Sequence, residues 1–188
     1  MTAHSAKVIT EFCKHCDWAF QVWMNHRLMF DDNPRAEELQ KSMGADFLAR
    51  LRTISHEYML LQIAKLHDSS VVSGQVTLSI EYIIKYGAWS DDYAKTLKDY
   101  AKRLEKFAQN LRTVRNQALS HNDLAAILSN SNLGEFGVNE DFQYFDALQQ
   151  FVNIIHGEVV GGPWPFDDLV KNDVAAFLTM VTLTTSST

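Results

Sequence analysis

Proline and glycine are scarce in this chain, at three and eight among 188 residues. Both interrupt helices, one by removing a backbone donor and the other by its entropy cost. Their scarcity permits long, unbroken helices. Alternating runs of valine, isoleucine and threonine, the mark of half-buried strands, are also missing. No apolar stretch approaches the ~18 residues that a membrane span needs. The first seven residues, Met1 to Lys7, lack the apolar block of a signal peptide. The expectation is a cytoplasmic protein without membrane contact. Cysteine is nearly absent too, with two residues in Cys13-Lys-His-Cys16. One such pair excludes a disulfide-stapled fold, and no second pair completes a zinc site. Three residues apart on a helix, both thiols fall near one face. They read as small residues near a core, with metal binding through His15 as the alternative.

What is present is an ordinary globular balance: 46% hydrophobic and 21% charged residues, with a net charge of −6. That total does not advertise a nucleic-acid binder, but its distribution is uneven. Lys95, Lys98, Lys102, Arg103, Lys106, Arg112 and Arg115 face only Asp99 and Glu105 within one stretch. The stretch is therefore +5 and the remainder −11. Such a face can draw phosphate to an acidic protein, or it can simply be the solvated side of a helix.

Apolar periodicity gives the elements. Val8, Ile9, Phe12, Cys16, Ala19, Phe20 and Trp23 step by three and four, predicting a helix from Ser5 to Met29. Asn33-Pro34 suits a cap and first turn. A second helix is expected from Pro34 to Leu66, bent near Gly44, with His56 and His67 at its surface or end. Asp68 to Gly74 reads as a loop, and Thr77 to Tyr86 as a third helix closed by Gly87. Ser90-Asp91-Asp92 is a strong start for a helix reaching Ser120, roughly 45 Å long. A short helix from Asn122 to Leu128 and a polar loop to Asn139 come next. Asn139-Glu140-Asp141 then opens a helix to Val159, with Phe142, Phe145, Leu148, Val152 and Ile155 inward. Gly161 to Pro165 is a rigid loop before a last helix, Asp167 to Thr182. The whole is one all-α domain, residues 1–188, a bundle of six or seven helices.

Polar chemistry concentrates where the longest helix ends, in Arg115-Asn-Gln-Ala-Leu-Ser-His121. Arginine can clamp a phosphate and stabilise developing charge. Histidine can move a proton near neutral pH. Asn116 can position either partner. The set calls for no metal and no cofactor. Six residues apart on an ideal helix, Arg115 and His121 stand ~9 Å and about 120° apart, so one copy does not present a tight pair. Two copies across a two-fold would bring the groups into one cleft. The plainer reading is a capped helix end.

This segment resembles the signature of the HEPN superfamily, an arginine followed by a polar residue and, a few positions later, a histidine. The form Arg-Asn-x-x-x-Ser-His-x-Asp is similar to that of the abortive-infection U-type branch. Ile63-Ala-Lys-Leu-His-Asp68 and Gln75-Val-Thr-Leu-Ser-Ile80 are similar to two earlier segments of that branch. The likeness covers roughly residues 15 to 125. It implies a helical HEPN bundle, dimeric, acting as a metal-independent endoribonuclease in toxin or phage-defence systems. It implies catalytic roles for Arg115 and His121, with Asn116 in support. Lys102, Lys106 and Arg112 are the expected RNA contacts, and an antitoxin protein is an expected partner. Ser120 replaces the common alanine. Asp123 stands where adenylylated HEPN toxins carry tyrosine, so that mode of control is not implied. Non-catalytic HEPN modules, which bind RNA, nucleotide or protein, are the alternative.

Overall fold

A computed structural model describes residues 5–36, 45–114 and 139–185, with side chains described for all of these except 45, 110–114 and 181–185. Six α-helices are present among them: α1 Ala6–His26, α2 Ala45–Leu66, α3 Ile80–Tyr86, α4 Asp91–Val114, α5 Glu140–Val159 and α6 Val170–Thr185. The all-α expectation holds. The expected bend near Gly44 and the elements expected within residues 115–138 lie outside the described residues.

Local chemistry fixes most of the ends. The Ser5 hydroxyl accepts from the Val8 amide and starts α1, Ser79 does the same for α3, and Ser90 for α4. The Asn33 side-chain oxygen accepts from the Arg35 amide at 3.0 Å, and the helix start expected there runs into residues outside those described. Helix α1 does not simply stop. It widens into a π-helical turn, five residues long, at Arg27–Asp31. The expected loop after α2 opens into a small antiparallel ribbon, β1 Val71–Val72 against β2 Gln75–Val76. Its two-residue turn, Ser73-Gly74, has φ of 50° and 80°, the left-handed pair of a type I′ hairpin. Glycine accommodates the second of these without strain. The third helix starts three residues later than expected because the Thr77 amide bonds back to the Ser70 carbonyl and Ser79 supplies the cap.

The core lies around α5. Tyr144, Phe145, Leu148, Phe151, Val152 and Ile155 are buried there, spaced for one broad helix face. Helix α1 packs on this face through Phe12, Cys16, Ala19 and Trp23, and α2 adds Leu60, Ile63 and Leu66. Helix α4 closes the other side with Leu97 and Leu104. Aromatic rings interlock at the seam, Phe12 edge-on to Phe151 at 6.1 Å and Trp23 stacked on Phe145 at 4.5 Å. Phe142 departs from its expected inward place. It sits on the rim, 44% exposed, with the Arg27 guanidinium 4.1 Å over its ring. Asp141, beside it, is buried instead and accepts from Trp23 Nε1 at 3.0 Å and from Arg27.

The loop at Gly161 to Pro165 is tied to α5. Gln149 donates to the Trp164 carbonyl at 2.7 Å and accepts from the Phe166 amide at 2.8 Å. Asn153 accepts from the Trp164 amide.

Candidate nucleic-acid interface

The basic stretch folds as α4. Leu97, Leu104 and Ala108 point into the core, and Lys98, Lys102 and Lys106 stand exposed on the outside. Spaced by four, the three lysines form a ridge with about 6 Å of rise between neighbours. Lys102 reaches Asp99 at 4.0 Å, a loose surface pair worth little. Arg112 belongs to α4, but its side chain is outside those described. Arg115, Asn116 and His121 also lie outside the described residues, and Arg115 follows directly on Val114, the last residue of α4.

Beside the ridge, a cleft of about 960 Å³ opens between α3 and α4. Ile80, Ile84 and Trp89 form its apolar wall, and Lys85, Lys98, Lys102 and Lys106 stand around it. Trp89 donates from Nε1 to the Ile83 carbonyl at 2.9 Å. That arrangement needs Gly87, since a Cβ there would come within 2.1 Å of the indole nitrogen. The glycine's role is this close approach. Its φ of −80° is open to any residue, so it does not act as a left-handed helix stop.

His67 lies at the base of the cleft. It was expected at the surface or end of α2. It does stand just beyond Leu66, but its ring turns inward and is buried. Nε2 is 2.9 Å from the Tyr144 hydroxyl and Nδ1 is 3.5 Å from the Glu105 carboxylate. With Nδ1 protonated toward the carboxylate, Nε2 accepts from the Tyr144 O–H. Burial pushes the Tyr144 phenol well above its ordinary pKa, so it remains a donor. The three groups come from α4, α5 and the end of α2. No periodicity in the sequence pairs them.

A second polar cluster sits at the π-helical turn. His26 is buried, with Nδ1 3.1 Å from the Ser55 hydroxyl and Nε2 3.6 Å from Asp31. His56, half-buried, lies with its ring 5.2 Å from that of His26. Burial holds the His26 imidazole down to about 4.

Cys13 and Cys16 are both fully buried, as two small core residues should be. Burial raises the Cys13 thiol to about 12 and also pushes the Cys16 thiol well above its ordinary value. His15 points the other way and is exposed, so the three do not converge on a metal. Among the described residues, no group of three or more histidine, cysteine, aspartate or glutamate side chains is placed to hold one. No helix among them is long and apolar enough to cross a membrane.

The described residues form an all-α bundle with a basic outer ridge on α4. The chain belongs to the AbiU2 family of HEPN proteins, whose family model matches residues 6–178. No curated protein and no solved structure matches it.

Proposed function

We propose that this protein is a metal-independent endoribonuclease of the HEPN type that acts as a homodimer in abortive infection, kept in check by an antitoxin protein. The observation that carries the reading is the exposed ridge of Lys98, Lys102 and Lys106 on α4, the helix whose last residue precedes Arg115. The family match spans the whole Arg115–His121 segment. Lysines in a row bind phosphates without reading sequence, and in the sequence the ridge runs on to an arginine and a histidine.

The chemistry divides among three side chains. RNA carries its own nucleophile, the 2′-hydroxyl. His121 takes or gives the proton as the 2′ oxygen attacks phosphorus and the 5′ oxygen leaves. Arg115 stabilises the extra negative charge on the phosphoryl oxygens, and Asn116 orients the phosphate or the imidazole. A second copy of the motif across a two-fold supplies the second proton-transfer group, which is why the active form is a dimer.

The test is purified wild type beside Arg115→Ala and His121→Ala on a mixed RNA in excess EDTA, with folding checked by circular dichroism. Wild type cleaves. His121→Ala loses about 10²–10⁴-fold, as removal of general acid–base catalysis does, and Arg115→Ala loses a similar factor. Cleavage that disappears in EDTA overturns the metal-free mechanism. Wild type that cleaves no RNA, alone or freed of a co-purifying partner, leaves the chain a non-catalytic HEPN binding module.

A further inference from the structure

The cleft between α3 and α4 combines two features that a simple basic ridge lacks. One is volume. At about 960 Å³ it is near the top of the ~300–1,000 Å³ range of small-molecule sites, ample for one nucleotide. The other is a fixed aromatic wall. Trp89 is held by its bond to the Ile83 carbonyl and by the close approach at Gly87. A ring already locked in place costs little further entropy when a base stacks on it.

Charge says what fits. Lys98 and Lys106 have no ion-pair partner among the described residues, and Lys85 stands opposite them on α3. The carboxylates at the cleft are engaged nearby, Glu81 3.9 Å from Lys85 and Glu105 3.5 Å from His67. An apolar slot with an aromatic wall, flanked by ammonium groups in file, suits a base joined to phosphates on both sides. Single-strand binders combine these two elements, a cationic track and a stacking ring. A duplex keeps its bases stacked and cannot deliver one into the slot.

From this geometry we infer that the α3–α4 cleft is a single-stranded RNA subsite. One unstacked base lies against Trp89, and its flanking phosphates rest on Lys98, Lys102 and Lys106. The inference rests on the ribonuclease reading for the identity of the strand. It adds that the protein selects unpaired RNA, and where on the chain it does so.

The experiment uses the full chain carrying His121→Ala, so that bound RNA survives, and a fluorescein-labelled 12-nucleotide RNA of mixed sequence, single-stranded or annealed to its complement. Fluorescence anisotropy follows binding. In this background Lys98→Glu/Lys106→Glu removes the track, and Ala101→Phe fills the slot without changing charge. Lys7→Glu/Lys171→Glu matches the charge change elsewhere on the surface. Single-stranded RNA binds at least tenfold more tightly than the duplex. Both cleft variants weaken it at least tenfold and the surface control does not. Loss of two phosphate contacts also makes the salt dependence shallower by about 1.4 in log–log slope. If the surface control weakens binding as much as the track variant, attraction is diffuse and the inference falls. Equal binding of duplex and single strand also overturns it. Should Ala101→Phe fail to fold, the track variant and the duplex comparison decide alone. Cleavage at the wild-type rate by Lys98→Glu/Lys106→Glu with His121 intact refutes the cleft and leaves the ribonuclease standing. Cleft-dependent binding by a chain that never cleaves refutes the ribonuclease and leaves the cleft.

Discussion

Acid stability offers a direct test of the His26 cluster. Its imidazole is buried beside Ser55, His56, Phe30 and Asp31, with Arg52 bonded to that aspartate at 2.9 Å. Burial outweighs the attraction of Asp31 and brings the pKa from 6.5 to about 4. The unfolded chain therefore binds a proton, between those pH values, that the folded chain refuses. The stability involved is present above pH 6.5 and is lost as pH falls toward 4. At about 1.4 kcal/mol for each tenfold step in proton affinity, the ceiling is about 3 kcal/mol. Asp31 is 42% exposed, so water can reach the pair and the turn can relax; about 2 kcal/mol is the expected loss. His26→Gln keeps a polar group near Ser55 and cannot ionise. Urea unfolding of both proteins at intervals from pH 7.5 to 4.5 gives the comparison. The variant's constant offset is irrelevant, because the difference in slope is the measurement. Parallel curves, or a His26 ring proton titrating near 6.5 by NMR, would refute the argument.

Other perturbations test the packing that supports the cleft and the turn. Gly87→Ala forces Trp89 off the Ile83 carbonyl and should cost about 2–4 kcal/mol in urea unfolding, combining overpacking with a lost hydrogen bond; without the close approach it would gain a few tenths instead. Asp141→Ala strips the acceptor from Trp23 and Arg27 and should cost about 2–4 kcal/mol, while Asp141→Asn, which can still accept from the indole, should cost less by the same measurement. The thiols of Cys13 and Cys16 should resist alkylation by iodoacetamide in the native state at pH 8 and react on unfolding, since both are buried and held protonated; rapid native labelling would contradict that burial.

Much of this architecture was legible in the chain because each signal was local. Ser90 announced a helix start through capping chemistry, and the stripes on α1 and α5 announced most of their buried faces through the 3.6-residue period. The Arg115–His121 motif and its family likeness were equally a matter of order and spacing, and the match over residues 6–178 agrees with that likeness. The short ribbon was missed because four paired residues are too few for any period, although Ser73-Gly74 is a turn dipeptide. Phe142 and Asp141 exchanged expectations because a helix stripe has edges. Which edge residue goes inside depends on the neighbour, here Trp23 and Arg27, and those come from more than a hundred residues away. His67, Glu105 and Tyr144 met for the same reason. A sequence period tells which side of one helix turns from water. Only the packing of separate helices decides what that side meets, and so only the tertiary structure could put a histidine, a lysine ridge and a fixed indole around one cleft.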